Sequence, residues 1–325
     1  MKTEHGGDLD KAINYYGGIK EDWIDLSTGI NPNSYPFKDI KVNNLRNLPV
    51  NTDIEKLNQV AKTYFETELT VSALNGAQTA INILPFLLPN KNVCILEPTY
   101  NEYRRVFSCF SKEIKSVKKL KELKNAQIAI VCNPNNPDGK LYSCNDLIEI
   151  SKNVETLIVD ESFIDQYPDA SLSKKIKNDA DNIIILRSFG KFFGLAGLRL
   201  GFIICGKKTN IKIRNLIGPW PVSSIACEIA IKALSDNVWI ENTIKELEAN
   251  AKLLDQLTHN LNWKLVGGTN LYRLYKTPSA KKIQNLLATQ KIWSRTFSYS
   301  KYWLRLGLPL KMDYFKVEKI FKSLY

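Results

Sequence analysis

The sequence predicts an α/β protein with a doubly wound, mostly parallel sheet and a second, smaller α+β domain. Three observations support this fold class. Short apolar runs of strand length recur along the chain, amphipathic stretches lie between them, and the pattern changes near residue 235. Near-continuous apolar runs are typical of strands that are buried on both faces of a parallel sheet. Strands that alternate with helices are typical of doubly wound folds.

The strands of the large domain are predicted from β-branched residues, and the helices from apolar residues that repeat every three or four positions. The stretch Asp53–Phe65 shows this repeat, with Leu57, Ala61 and Phe65 on one face. The predicted strands are Thr70–Ala73, Val93–Leu96, Ile128–Cys132, Thr156–Val159, Ile183–Leu186 and Leu200–Cys205.

The small domain is predicted from the change of pattern at Asp236, a candidate N-cap of a long helix. We divide the chain into an N-terminal arm (1–45) that packs on the small domain, a large domain (46–235) and a small domain (236–325). A ligand site is expected between the domains, at the carboxyl ends of the large domain's strands. The remaining predicted strands and helix are Leu271–Tyr275, Ala280–Gln290, Ile292–Ser294 and Tyr302–Leu308.

The chain has 325 residues and a formal net charge of +12, which raises the question of nucleic-acid binding. Its basic residues are 36 lysines and nine arginines, and the lysines are spread along the whole chain. Arginine is the residue that contacts phosphates and bases in a bidentate manner. Diffuse surface charge is therefore favoured over a nucleic-acid partner, and each of the few arginines becomes a candidate for a specific role.

Other classes of protein are excluded by residues that are rare or dispersed. The six cysteines include no Cys-x-x-Cys pair and there are two histidines, which argues against a metal site and a disulfide framework. No apolar run approaches the ~18 residues of a membrane-spanning helix. The N-terminal residues lack the apolar segment of a secretory signal. A cytoplasmic enzyme or binding protein without a membrane partner is expected.

Polar residues follow the predicted strands. The segment Asn75–Gln78 follows the first strand and opens a helix, whose N–H groups could bind a phosphate. The loop 132–139 contains two Asn-Pro pairs and an Asp-Gly pair, which is more turn-forming sequence than a simple connection needs. Asp160 follows the fourth strand, and Lys191 follows the fifth among phenylalanines. A lysine that is partly desolvated in this way suits Schiff-base chemistry.

Taken in order, these segments resemble the class I and II aminotransferases, which are fold-type I pyridoxal-phosphate enzymes. The matching motifs are Asn-Gly-Ala-Gln from 75, Asn-Pro-Asn-Asn-Pro-Asp-Gly from 133, Asp-Glu-Ser-Phe from 160, and Ser-x-x-Lys from 188 with an arginine eight residues after the lysine. The second and the fourth are specific on their own. Together the four span residues 75–199.

Both ends of the chain narrow the resemblance. The segments 5–10 (His-Gly-Gly-Asp-Leu-Asp) and 23–32 (Trp-Ile-Asp-Leu-Ser-Thr-Gly-Ile-Asn-Pro) are similar to the N-terminus of the threonine-phosphate decarboxylase and cobalamin-biosynthesis branch. The segments 293–297 and 303–309 are similar to the C-terminus of that branch. The resemblance covers nearly the whole chain, and histidinol-phosphate aminotransferases are the nearest group outside the branch.

The resemblance implies pyridoxal 5'-phosphate as the cofactor, no metal, and a role for each matching residue. Lys191 would carry the Schiff base, and Asp160 would face the pyridine nitrogen and keep it protonated. Asn136 would bind the ring 3-oxygen beside the substrate, and Tyr100 would stack on the ring, with Tyr103 as the second choice. The residues that would hold the cofactor phosphate are Gly76, Ala77, Gln78, Ser188 and Arg199.

The resemblance also implies how the substrate is held. Arg305 would bind the α-carboxylate through two guanidinium nitrogens, with a backbone N–H of Gly29 nearby. Arg295, at the end of one predicted strand, would bind a second anion, for which a phosphomonoester is well suited. His5 and the backbone around Thr28 could complete that pocket if the N-terminal arm folds over it.

Two positions depart from the common pattern of the family. Phe163 stands where many members have a tyrosine, so Asn136 would contact the ring 3-oxygen alone. Leu48 stands where many members have a tyrosine that reaches the cofactor phosphate of the neighbouring subunit. That phosphate contact is therefore not predicted, but a homodimer is, because fold-type I sites are usually built at a dimer interface.

Three functions are compatible with the resemblance. The first is decarboxylation of L-threonine O-3-phosphate to (R)-1-amino-2-propanol phosphate, for the side arm of cobalamin (vitamin B12). The second is transamination of a phosphorylated amine such as histidinol phosphate. The choice depends on which Cα bond Arg305 holds perpendicular to the cofactor ring, and a sequence does not fix such a rotation. The third is an inactive binding protein on the same fold, against which the intact Lys191, Asp160 and Arg199 argue.

Overall fold

A computed structural model describes residues 5–37, 46–177, 180–259 and 261–324. The chain divides into two units, each built from more than one segment. The large unit comprises residues 35–136 and 141–240, and the small unit comprises residues 1–34, 137–140 and 241–325. Residues 1–4 and 38–45 of the predicted arm lie outside the described residues. No helix in the described parts of the chain is long and apolar enough to cross a membrane.

The large unit is built around a sheet that has seven strands within the described residues. The elements begin with α1 (Leu9–Tyr16) and β1 (Ile24–Asp25), which belong to the small unit. The strands of the large sheet follow as β2 (Thr70–Leu74), β3 (Asn92–Leu96), β4 (Glu113–Val117), β5 (Ile128–Cys132), β6 (Thr156–Asp160), β7 (Ile183–Ser188) and β8 (Gly201–Cys205). Their order across the sheet is β2-β8-β7-β6-β5-β3-β4. β8 is antiparallel to both of its neighbours, and the other pairs are parallel.

The predicted α/β fold class is confirmed by this mostly parallel sheet and the helices between its strands. Every residue of β5 and of β8 is buried, which is why these strands are continuous apolar runs in the sequence. The core packs sheet residues such as Ile130 and Ile158 against helix residues such as Leu84 and Phe107. The helices of this unit are α2 (Asn51–Tyr64), α3 (Ala77–Leu87), α4 (Glu102–Phe107), α5 (Cys144–Ser151), α6 (Phe189–Phe192), α7 (Lys207–Ile217) and α8 (Ser224–Leu234).

The small unit has a second, antiparallel sheet. The remaining elements are α9 (Asn237–His259), β9 (Lys264–Thr269), β10 (Tyr272–Lys276), α10 (Ala280–Thr289), β11 (Ile292–Trp293), β12 (Arg295–Phe297), β13 (Ser300–Gly307) and α11 (Tyr314–Lys322). The strand order is β12-β13-β10-β9, and β1 pairs in parallel with β11. Asp236 caps α9 as predicted, because its Oδ1 accepts the N–H of Trp239 at 3.0 Å.

The predicted strand Ile292–Ser294 needs correction. β11 ends at Trp293, the buried Ser294 follows, and Arg295 begins β12 instead of ending the predicted strand. The break is caused by a change of partner, because β11 pairs with β1 whereas β12 pairs with β13. Arg295 therefore lies in the antiparallel sheet, where its register partner is Arg305.

Candidate active site

Four of the site residues predicted in the large unit lie at or just beyond the ends of three neighbouring parallel strands, β5, β6 and β7: Asn136, Asp160, Ser188 and Lys191. Asp160 is the last residue of β6, in register with Cys132 of β5 and Leu186 of β7. Ser188 ends β7 two residues later, and Lys191 follows in α6. Because the carboxyl ends of parallel strands meet at one edge of a sheet, the loops with the predicted motifs begin side by side.

Asp160 is a buried carboxylate with a hydrogen-bond donor on each oxygen. It is 6% exposed, and its Oδ1 accepts the N–H of Ser162 at 2.9 Å. Its Oδ2 accepts the O–H of Tyr103, which is fully buried, at 2.8 Å. Burial and the charge of Asp160 raise the pKa of Tyr103 well above its usual value, so the phenol is a donor. Such burial is unsuited to the stacking role that was the second choice for Tyr103.

Lys191 lies half-buried in an aromatic environment. Its Nζ is 5.6 Å from the centre of the Phe163 ring, and Phe189 and Phe192 on the same short helix are buried. Phe163 is the residue that replaces the tyrosine common in the family, and it adds no hydroxyl beside the lysine. The amine therefore faces an apolar ring on this side, which favours the desolvation expected of a Schiff-base lysine.

The N-terminus of α3 forms a cradle with Arg199. Gly76 precedes the helix with φ +75°, and a Cβ there would lie 2.8 Å from Nη2 of Arg199. Gly201 lies against the start of α3, because a Cβ added to it would be 2.5 Å from the backbone nitrogen of Ala77. Gly201 is also in register with Ser188. The guanidinium, the first N–H groups of α3 and Ser188 thus lie together, an arrangement that suits a phosphate.

Tyr100 is tied to this cradle through Gln78. The Tyr100 O–H donates to Oε1 of Gln78 at 3.2 Å, and Nε2 of Gln78 donates to Oε2 of the buried Glu102 at 3.3 Å. Nε of Arg105 donates to the same Glu102 oxygen at 2.8 Å. The chain of hydrogen bonds fixes the hydroxyl end of Tyr100 beside the start of α3.

Asn136 lies half-buried in a turn, and the asparagines just before it are held by hydrogen bonds. Oδ1 of the buried Asn135 accepts the O–H of Thr99 at 2.8 Å, and its Nδ2 donates to the carbonyl of Pro98 at 3.0 Å. Asn133 pairs with the backbone of Tyr142 through both ends of its amide, at 2.8 and 3.2 Å. Asn133 and Asn135 therefore fix the conformation of the loop that carries Asn136.

A buried ionic cluster is formed by Arg187 of β7 with Glu161 and Asp165, which follow β6. Nη2 of Arg187 donates to Oδ1 of Asp165 at 2.7 Å, and Nη1 lies 3.5 Å from Oε2 of Glu161. Burial raises the pKa of Glu161, while Arg187 opposes that shift. Oε2 of Glu161 also accepts the O–H of Ser171 at 2.6 Å. This cluster was not predicted from the sequence, where its only signal is a charged residue beside each of Asp160 and Ser188.

The small unit brings Arg305 and Arg295 together. Arg305 is 7% exposed, its Nη2 donates to the carbonyl of Ser27 at 3.0 Å, and its guanidinium lies 4.8 Å from the centre of the Tyr272 ring. Burial, and secondarily the charge of Arg295, lower the pKa of Arg305 to about 10, so it is charged at neutral pH. Two cations at paired positions repel each other, and anionic ligands would relieve that repulsion.

The N-terminal arm contacts the segment around Ser27. The N–H of Gly7 donates to Oγ of Ser27 at 2.8 Å, and a Cβ at Gly6 would collide with the Ser27 carbonyl. The exposed His5 directly precedes these glycines. The carbonyl of Thr28 lies so close to Gly307 that a Cβ added to Gly307 would collide with the carbonyl oxygen. The predicted residues His5, Thr28, Gly29, Arg295 and Arg305 therefore belong to the small unit, where the arm and the segment 27–29 lie beside the strand of Arg305.

Comparison with known proteins agrees with the motifs. The model of the family "Aminotransferase class I and II" matches residues 21–323. A threonine-phosphate decarboxylase from Sinorhizobium sp is 36% identical over 94% of this chain and 92% of its own length. The enzyme of that name from Pseudomonas aeruginosa is 33% identical over 94% and 93%. A histidinol-phosphate aminotransferase from Baumannia cicadellinicola is 31% identical over 72% and 68%.

Two solved structures illustrate the shared fold. The histidinol-phosphate aminotransferase from Sinorhizobium meliloti in complex with pyridoxal-5'-phosphate has a TM-score of 0.81 and 15% identity, with 100% of this chain and 96% of that chain covered. The L-threonine-O-3-phosphate decarboxylase from Porphyromonas gingivalis has a TM-score of 0.75 and 17% identity, with 92% and 98% covered. At these identities the likeness concerns the fold.

Proposed function

We propose a function for this chain from one premise: it belongs to the class I and II aminotransferase family. It is a pyridoxal-phosphate-dependent lyase that decarboxylates L-threonine O-3-phosphate to (R)-1-amino-2-propanol phosphate, a building block of cobalamin. The observation that carries the proposal is the pair of arginines on β12 and β13, because this substrate has two anionic groups. The two full-length relatives named threonine-phosphate decarboxylase support it.

The residues of the large unit fit pyridoxal phosphate. The cradle of Gly76 and Arg199 would bind the phosphate, together with the N–H groups of Ala77 and Gln78 and the hydroxyl of Ser188. A side chain at position 76 would fill this cradle. The buried carboxylate of Asp160 supplies the acceptor that a protonated pyridine nitrogen needs. Tyr100 would cover one face of the ring, and Asn136 would donate to the ring 3-oxygen.

In the reaction, bound pyridoxal phosphate supplies an electron sink for the bond that breaks at Cα. Arg305 would hold the α-carboxylate, with the N–H of Gly29 as a further donor, and so orient the bond between Cα and the carboxylate. Arg295 would hold the substrate phosphate, with His5 and the backbone of Thr28 on the side of the arm. Nζ of Lys191 would bind the cofactor covalently before the substrate arrives and would return a proton to Cα after carbon dioxide has left.

The test is to incubate the purified protein and pyridoxal phosphate with threonine phosphate. We expect release of carbon dioxide without accumulation of the pyridoxamine form of the cofactor. The second candidate is an aminotransferase acting on histidinol phosphate, which the relative from Baumannia cicadellinicola favours. Conversion of the cofactor to its pyridoxamine form by histidinol phosphate, with no carbon dioxide from threonine phosphate, would establish that alternative.

Replacing Arg295 by alanine is expected to lower the preference for threonine phosphate over threonine by at least about tenfold. Charge-assisted hydrogen bonds contribute ~1.5–3 kcal/mol each, and a phosphate would lose at least one of them. Arg295→Lys should recover part of the loss, because a point charge does not reproduce the planar fork. The measurement is kcat/KM for both substrates, with cofactor affinity as the control. An unchanged preference in Arg295→Ala would place the phosphate pocket elsewhere.

We also expect the active protein to be a homodimer. The large unit exposes apolar side chains, with Leu48 63%, Val50 55% and Trp220 54% exposed, and a second copy of the chain would cover such residues. Sedimentation equilibrium of the cofactor-loaded protein should give twice the mass of the chain. A fully active monomer at the concentration of the activity assay would contradict this expectation.

A further inference from the structure

The hydrogen bond between Tyr103 and Asp160 joins two buried groups of different elements. Tyr103 lies in α4 and is fully buried, and Asp160 ends β6. The O–H donates to Oδ2 over 2.8 Å, while the N–H of Ser162 donates to Oδ1. The carboxylate thus has one backbone donor and one side-chain donor, and the side-chain donor can be removed without changing the chain's path.

We propose, building on the proposed function, that Tyr103 is a positioning residue for the cofactor that acts through Asp160. Its O–H holds the carboxylate in one orientation and stabilises its negative charge, so that Asp160 can hold a proton on the pyridine nitrogen.

The reason lies in the cost of burying a charge. Removing a carboxylate from water favours its neutral form, and hydrogen bonds to the charged form oppose this effect. Without the Tyr103 donor, the buried Asp160 carboxylate would be held by the N–H of Ser162 alone, and it would bind a positively charged pyridine nitrogen less strongly. Tyr103 is able to act as a permanent donor because its own pKa is raised well above the usual value, by burial and then by Asp160.

The position of Tyr103 is set by packing rather than by a ligand. Its ring belongs to the core cluster that contains Phe107 and Ile95, and it meets the ring of Tyr100 edge to face, with the centroids 6.4 Å apart. Tyr100 is the residue proposed to cover the cofactor ring. One short segment would therefore serve the cofactor twice, directly through Tyr100 and indirectly through Tyr103 and Asp160.

The test is the variant Tyr103→Phe, which removes the hydroxyl and keeps the ring. Its matched control is Tyr275→Phe in the small unit, where an equally buried tyrosine donates to Oδ1 of Asp255 at 2.6 Å. Pyridoxal phosphate is titrated into each protein, and binding is measured from the absorption of the bound cofactor. We expect its dissociation constant to rise about tenfold in Tyr103→Phe, the equivalent of one charge-assisted hydrogen bond. The dissociation constant of Tyr275→Phe should stay within about twofold of the wild-type value, a change much smaller than that expected for Tyr103→Phe.

Two further measurements separate a role through Asp160 from a general loss of stability. In an Asp160→Asn background, Tyr103→Phe should change the dissociation constant less than about twofold, because coupled residues are not additive. When the cofactor is labelled with ¹⁵N at its ring nitrogen and bound to Tyr103→Phe, the resonance of that nitrogen should shift towards the value of a neutral pyridine.

The outcomes distinguish this inference from the function on which it rests. A wild-type protein that binds no pyridoxal phosphate contradicts the proposed function. A wild-type protein that binds it, with unchanged affinity in Tyr103→Phe, contradicts only the role of Tyr103. Equal losses in the wild-type and Asp160→Asn backgrounds, or an equal loss in Tyr275→Phe, would also overturn that role.

Discussion

Replacing Lys191 by alanine is expected to lower kcat for decarboxylation about 1,000-fold or more. The variant would lose both the covalent attachment of the cofactor and the group that moves a proton at Cα, and proton transfer alone contributes ~10²–10⁴-fold. The fold should be unaffected, since Lys191 is only half-buried and lies in a helix of four residues. The visible absorption band of the bound cofactor should disappear with the covalent link.

The assignment of Lys191 is checked by reducing the cofactor-loaded protein with borohydride and mapping the labelled peptide. A matched control is Lys174→Ala, because Lys174 is also half-buried in the large unit, where its Nζ pairs with Oε1 of Glu66 at 2.6 Å. That variant should keep the label on Lys191 and retain activity. A label on any other lysine of the wild-type protein would refute the assignment.

Replacing Arg305 by alanine is expected to lower kcat/KM for threonine phosphate about 100-fold. A bidentate carboxylate contact consists of two charge-assisted hydrogen bonds of ~1.5–3 kcal/mol each, and losing both costs at least ~3 kcal/mol. The control is Arg273→Ala on the adjacent strand β10, because Arg273 pairs with Asp255 through Nε and Nη2 at 3.0 and 2.7 Å. Arg273→Ala should reduce stability and leave kcat/KM within a few-fold.

The ionisation of Arg305 gives a second check. Since burial lowers its pKa to about 10, the guanidinium is charged at neutral pH and loses its proton as the pH rises through about 10. Affinity for the α-carboxylate should therefore be constant around neutral pH and fall in that alkaline range. Similar losses in Arg305→Ala and Arg273→Ala at neutral pH would show that Arg305 serves the fold and not the substrate.

Elements that are buried along their whole length could be predicted from the sequence. The strand Ile128–Cys132 was predicted with the bounds it has, because all five of its residues are buried and apolar. The start of α9 was predicted because an N-cap depends on a local contact, the acceptance of a main-chain N–H by Asp236.

Elements with little burial were missed or misplaced. β9 (Lys264–Thr269) was not predicted, because its first three residues are exposed and two glycines follow them. The end of β11 was misplaced because consecutive residues pair with different strands there. A change of pairing partner leaves no trace in hydrophobic periodicity.

In the candidate site, the order of the motifs could be predicted but the contacts between them could not. Tyr103 and Asp160 are 57 residues apart, and Arg305 and the Ser27 carbonyl are 278 residues apart. Such contacts depend on strand order and register, which no short motif encodes. The resemblance to a family supplied the roles of matching residues, but the only role it gave Tyr103 was stacking, and the contact with Asp160 was not predicted.

The small unit is built from both ends of the chain, which determines when during synthesis its strands can pair. β1 pairs with Ile292 and Trp293, and Leu26 accepts the N–H of Gly307, so residues near the start of the chain find their partners near its end. At ~5–20 residues per second, translation separates these partners by tens of seconds. The strands of the large sheet are complete once residue 205 has been made. Lys191, the proposed Schiff-base lysine, is therefore synthesised well before Arg295 and Arg305, the arginines proposed to hold the substrate.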